Sequence, residues 1–188
     1  MNDKVIIGVD EVGRGCLAGP VVAAAVVMPS ETDYIFRDSK TLSQSVRLHN
    51  YKLIKKYAFS VKLGYASPQE IDALNILKAT HLAMKRAIEK VNWRGSLVLV
   101  DGCHLPDIVN YRMKAIIKGD QKYTQISAAS IVAKVVRDYI MTRISRVYPN
   151  YFFEKHKGYP TKQHLYALKR WGALSIHRKS FRPVREQL

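Results

Sequence analysis

Residues 4–28, KVIIGVDEVGRGCLAGPVVAAAVVM, hold two runs rich in Val, Ile and Ala, Lys4 to Asp10 and Val21 to Met28, separated by a glycine-bearing segment that ends in Pro20. β-Branched runs bounded by turn residues read as strands, so this stretch predicts a hairpin at the start of a sheet. Working outward, Ser43 to Tyr57 places Val46, Leu48, Leu53 and Ile54 on one side, as a helix laid on a sheet would. Ala58 to Ala66 alternates in the strand sense, and Ser67-Pro68-Gln69-Glu70 is a capping box that opens a helical pattern continuing to about Val91. Ser96 to Val100 is a short apolar run ending at Asp101-Gly102, and Tyr111 to Ile117 reads as a further strand. Ala129 to Val147 keeps the helical period up to Pro149, Thr161 to Trp171 predicts another helix closed by Gly172, and the tail after Ile176 is basic and irregular. Strands and helices mixed in this order predict an α/β or α+β arrangement with helices covering a sheet.

The chain of 188 residues is 47% hydrophobic, which excludes a disordered basic tail, yet 31 Lys plus Arg against 15 Asp plus Glu give it a formal charge of +16. The longest strongly apolar run, Val21 to Met28, is far below the ~20 residues that cross a bilayer. With no signal-like segment before Asp10, a cytoplasmic protein with no membrane partner is expected. The excess charge is uneven: 14 basic and 11 acidic residues lie in 1–111, 17 and 4 in 112–188. Such a surplus favours a polyanion, and its interleaving with Tyr111, Tyr123, Tyr148, Tyr151, Tyr159 and Tyr166 suits sugars and bases rather than a lipid surface. Binding should then fall steeply with salt. Cys16 and Cys103 make neither a metal-ligand spacing nor a disulfide framework, and the six histidines show no ligand spacing.

Four carboxylates sit at telling places: Asp10 and Glu11 at the end of the first strand, Asp101 at the end of a later one, and Asp138 inside the clearest helix. Gathering scarce carboxylates in so basic a chain is costly by mutual repulsion unless divalent cations neutralise them. Oxygen donors without a His or Cys cluster suit Mg²⁺ or Mn²⁺, two of which serve in-line phosphoryl displacement. Taken singly, Asp138 is equally readable as a surface partner of Lys134, Asp101 as a turn residue, and Asp10 with Glu11 as a hairpin end. Gly13-Arg14-Gly15 with Gly19-Pro20 is not a dinucleotide loop, since the third glycine comes one residue late and a strand-like segment follows. Two glycines bracketing an Arg allow close approach to a sugar or phosphate, or else make a bulged turn.

The full ordered set is more specific: Asp10 to Gly15 (DEVGRG) with Leu17 to Pro20, Asp38-Ser39-Lys40, Leu99 to Gly102, Gly119-Asp120, Ala128 to Lys134 with Arg137-Asp138, His156 to Thr161, and Ser180 to Val184. This set resembles the ribonuclease HII family over nearly the whole chain. The resemblance implies a single ribonuclease H-like domain: a mixed central sheet flanked by helices over about residues 1–148, and a small basic helical region over about 149–188. It implies cleavage of RNA/DNA hybrids and of DNA duplexes containing ribonucleotides, including single ones, leaving 3′-hydroxyl and 5′-phosphate ends. It assigns Asp10, Glu11, Asp101 and Asp138 to Mn²⁺ or Mg²⁺, Gly13, Arg14 and Gly15 to the ribose 2′-hydroxyl, and Tyr159 to the deoxyribose beyond the scissile phosphate. Lys40, Ser130 and Lys134 fall in blocks expected to hold the nucleic-acid backbone.

The chain departs from the usual family pattern at Cys16, Thr41 and Ser127, none of them an expected metal ligand. Cys16 and Cys103 lie close enough in sequence to the site for oxidation to inhibit. A monomer is expected. The rivals are a ribonuclease HI-type nuclease, which needs neither Tyr159 nor the Gly13–Gly15 loop, and a basic binding module, which leaves the strand-end carboxylates unexplained.

Overall fold

A computed structural model describes residues 5–29, Phe36, 42–93 and 95–188. The predicted hairpin is present as β1 (Ile6–Val12) and β2 (Val21–Val27), antiparallel with Val12 opposite Val22. β3 (Ser60–Ala66) pairs antiparallel with β2, while β4 (Leu97–Asp101) and β5 (Arg112–Ile116) are parallel to β1, giving a mixed sheet of order β3-β2-β1-β4-β5. β2 is buried along its whole length because helices cover both faces. Val21, Ala23 and Ala25 face the helix Ile76–Val91, whereas Ala24 and Val26 meet Gln44–Tyr57 and Thr124–Val147.

The helices are α1 (Gln44–Tyr57), α2 (Pro68–Leu74), α3 (Ile76–Val91), α4 (Thr124–Val147), α5 (Phe153–His156), α6 (Lys162–Trp171) and α7 (Arg182–Arg185). The Ser67 capping box forms in full: its hydroxyl accepts from the Glu70 amide, and the Glu70 carboxylate accepts from the Ser67 amide. The single helix expected from there to Val91 is instead two. Asn75, at φ 69°, breaks the run, and its side chain accepts from the Leu77 and Lys78 amides to cap α3. The irregular tail likewise contains one short helix, α7. α4 lies so close on β1 that a Cβ at Gly8 would stand 2.1 Å from the Gln125 carbonyl carbon, so helix and strand fit together only through a missing side chain.

The C-terminal elements pack through Tyr151, Phe153 and Ala167 onto Ala18 and Met141. Three buried histidines join them, and their partners define the tautomers. His177 Nδ1 accepts from the Leu174 amide, leaving its Nε2–H to donate to His164 Nε2 at 3.1 Å; His164 Nδ1–H then donates to the Tyr159 carbonyl. His156 donates from Nε2 to the Tyr151 carbonyl and accepts the Gly158 amide on Nδ1. This relay has no room for an added proton, and burial pushes His164 and His177 down to about 4. At these two histidines the unfolded chain therefore binds more protons than the folded one between about pH 6.5 and 4, so the stability they contribute falls as pH falls through that window, by up to about 1.4 kcal/mol per pH unit per histidine. Thermal unfolding followed from pH 7 to 4 is expected to show this loss, reduced in His177→Asn.

Candidate active site

β1 and β4 stay paired only as far as Val9 and Val100. The next residue of each strand is an aspartate, so Asp10 and Asp101 emerge where two parallel neighbours part, the crevice in which open sheets place their sites. Asp10 is 4% exposed; its Oδ1 accepts from the Glu11 amide at 2.7 Å and its carboxyl from the Ser130 hydroxyl on α4. Asp101 Oδ1 accepts from the Gly119 amide at 2.7 Å. Glu11 is met by Arg14 at 3.4 Å. Burial, then the charge of Glu11, then that of Asp101, holds the Asp10 carboxyl well above the usual carboxylate range. Burial and Asp101 also raise Glu11, against the opposing pull of Arg14.

Three of the four expected carboxylates thus act on one another. Asp138 stands apart, paired with Lys134 at 2.9 Å and acting on Lys157 and Tyr159. A cavity of about 340 Å³ is lined by Glu11, Ser130, Lys134 and Tyr159, and one of about 240 Å³ by Asp138, Thr142 and Lys157; Arg47 borders both. Lys134 Nζ lies 5.8 Å from the centre of the Tyr159 ring. Among the described residues, no three His, Cys, Asp or Glu side chains are gathered closely enough to hold a metal ion. The donor set nevertheless fits a hard cation: oxygen ligands from carboxylates that repel one another and are fixed by amides and a hydroxyl.

Gly13, Arg14 and Gly15 begin a loop running to Pro20 that is stitched to the chain's end, the Gly19 amide donating to Ile176 and the Arg178 amide to Leu17. Lys40 and Thr41 lie outside the described residues. Cys16 is fully buried and burial pushes its thiol up, which disfavours the reactive thiolate; Cys103 is exposed. The sequence reading gave no role to Arg137 and Arg178, both fully buried and both donating to carbonyls of this loop. A signal existed for the first: Ala133, Arg137 and Met141 recur every fourth residue on the buried side of α4.

A mixed sheet with helices on both faces and carboxylates where its parallel strands part defines a hydrolase of the ribonuclease H-like fold. The family model described as Ribonuclease HII matches residues 7–184. The ribonuclease HII of Pelagibacter ubique strain HTCC1062 is 50% identical over 186 residues, covering 98% of this chain and 100% of that one. The ribonuclease HII of Archaeoglobus fulgidus, solved in complex with PCNA, superposes with a TM-score of 0.79 at 27% identity over 95% of each chain. Bst-RNase HIII, solved with Mn²⁺, shares the fold at 17% identity (TM-score 0.75; 98% of this chain, 69% of that one). The chain belongs to the ribonuclease HII family and is an endonucleolytic ribonuclease H of type II. No helix among the described residues is long and apolar enough to cross a membrane.

Proposed function

We propose that this enzyme cleaves the RNA strand of RNA/DNA hybrids and incises duplex DNA on the 5′ side of single ribonucleotides, leaving 3′-hydroxyl and 5′-phosphate ends. The observation that carries this reading is adjacency: the carboxylates where β1 and β4 part, the Gly13–Gly15 loop through Arg14, and Tyr159 across one cavity from Glu11 border the same crevice. Asp10, Glu11 and Asp101, with Asp138 beyond Lys134, would hold Mg²⁺ or Mn²⁺, the latter being the ion with which Bst-RNase HIII was crystallised. A divalent cation held there would supply acidification of a bound water and compensation of charge on the departing oxygen.

The chain's own groups position and select. The Ser130 hydroxyl and Glu11 amide fix the orientation of Asp10. The half-exposed Tyr159 ring, backed by the cations of Lys134 and Arg137, offers an apolar face to a deoxyribose. The exposed Arg14 and Gly15 meet the ribose, whose 2′-hydroxyl is the group that separates RNA from DNA. Lys134 holds the charge of Asp138 and stands ready for a phosphate.

The test is cleavage of a DNA duplex holding one ribonucleotide, beside an all-DNA duplex and a long hybrid, with Mg²⁺, Mn²⁺ or excess chelator. Incision 5′ of the ribonucleotide, abolished by chelator, is expected; cutting of the long hybrid alone would overturn the reading of Tyr159 and the loop. Gly15→Ala isolates the loop, because an added Cβ meets no atom within 4 Å. It should unfold like the wild type yet lose about 10-fold or more in kcat/KM on the lone ribonucleotide, the scale of one lost hydrogen bond at a recognition site.

A further inference from the structure

Arg178 has no business in a protein core unless its charge is answered, and the answer here is not an acid. Its guanidinium is fully buried and donates from Nη1 to the Arg14 carbonyl at 2.8 Å, from Nη2 to the Gly13 carbonyl at 2.7 Å, and from Nε and Nη2 to the Gly19 carbonyl at 3.1 and 3.0 Å. Phe181 closes over it, ring centre 5.2 Å from the guanidinium carbon. Burial lowers the group only to about 10, so it stays protonated at neutral pH.

The peptides it grips are those of Gly13–Arg14 and Arg14–Gly15. In a trans peptide the carbonyl and the N–H point opposite ways, so drawing both carbonyls inward turns the amides of Arg14 and Gly15 outward. Those two amides make no backbone hydrogen bond among the described residues. A cation on a carbonyl also polarises its peptide and strengthens the N–H at the other end as a donor.

We propose that Arg178 is a positioning residue for ribose discrimination: it orients and polarises the two peptides whose amides face the substrate sugar. The inference rests on the proposed role of the loop in meeting the ribose and adds to it the element that aims it. The loop therefore acts as a fixed dipole array driven from the chain's C-terminal region. Arg137, which donates to the carbonyls of Ala18, Pro20 and Lys157, anchors the loop's far end and ties it to the segment bearing Tyr159.

The experiment compares wild type, Arg178→Lys, Phe181→Leu and Gly15→Ala. Readouts are thermal unfolding, kcat/KM on a duplex with one ribonucleotide, Kd for the all-DNA duplex of the same sequence, and the amide proton shifts of Arg14 and Gly15. Arg178→Lys keeps the charge but cannot span three carbonyls. It is expected to lower kcat/KM on the ribonucleotide duplex by about 10- to 100-fold with the all-DNA Kd within about twofold, and to move both amide protons upfield without substrate. A purely structural role would weaken both substrates together. Phe181→Leu, which leaves the guanidinium but opens its cover, should give a smaller loss of the same kind. A folded Arg178→Lys with wild-type discrimination, beside a Gly15→Ala that has lost it, overturns the assignment of Arg178 alone. Unaltered discrimination in Gly15→Ala overturns the loop reading itself. Should Arg178→Lys not fold, Phe181→Leu decides, and unchanged discrimination there overturns the proposal.

Discussion

Asp10→Asn is expected to lose cleavage by at least about 10³-fold, equivalent to about 4 kcal/mol of transition-state stabilisation, while raising the melting temperature of the metal-free protein. Both effects come from one carboxylate. Asp10 is buried beside Glu11 and Asp101, and its raised pKa means that folding forces a charge where burial and two like charges oppose it. Asparagine keeps an oxygen for the Glu11 amide but removes that repulsion. Each kcal/mol recovered corresponds to about 2–4 °C for a chain of this size. Duplex binding should be unaltered or tighter, since a negative charge facing phosphates has gone. Calorimetry, a binding isotherm and single-turnover cleavage check the three parts; a melting temperature that falls would show that Asp10 is a structural group.

Gly13→Ala is expected to be the most damaging single methyl in the loop. Gly13 has φ +94°, a conformation L side chains rarely adopt, and a Cβ there would meet Arg137 Nε at 2.2 Å and Cδ at 2.7 Å. Backbone strain and displacement of a buried guanidinium each cost about 1–3 kcal/mol, so a loss of several kcal/mol is expected, with activity following. Denaturant unfolding of Gly13→Ala beside Gly15→Ala measures it: two glycines two residues apart should differ by most of that amount, because only one is in contact with the protein.

Much of this was legible in the sequence. An apolar run that ends in Asp announces a carboxylate delivered to a strand tip; Asp101 is found there as the last residue of β4, whereas β1 continues through Asp10 to Val12, so Asp10 lies inside the strand, at the point where β1 leaves β4. The capping box at Ser67 needed only its own four residues. What escaped were arrangements made by tertiary contact. Asn75 sits in an unbroken helical pattern, and only the turn it makes reveals that it ends one helix and caps the next. Adjacent strand residues point to opposite faces, so a shared environment for Asp10 and Glu11 could not be read until the parting of β1 from β4 was known. Arg178 looked like one more surface cation in a basic tail; an arginine whose partners are backbone carbonyls leaves no mark in a pattern of side chains. Ser130 was expected against nucleic acid; that its hydroxyl also acts on Asp10, from the wall of the cavity it shares with Glu11 and Tyr159, could not be read from the sequence.

The stitching of the Gly13–Pro20 loop to the chain's end has a consequence for how the enzyme comes into being. Arg178 and Gly13 are 165 residues apart. A chain emerging from the ribosome N-terminus first can pair its early strands long before residue 178 exists. The loop that would tell ribose from deoxyribose takes its shape only once residues 176–178 are in place. On the proposed reading, selectivity would come after the sheet has formed, and a chain cut short before Ile176 would carry its acidic residues without the means to aim them.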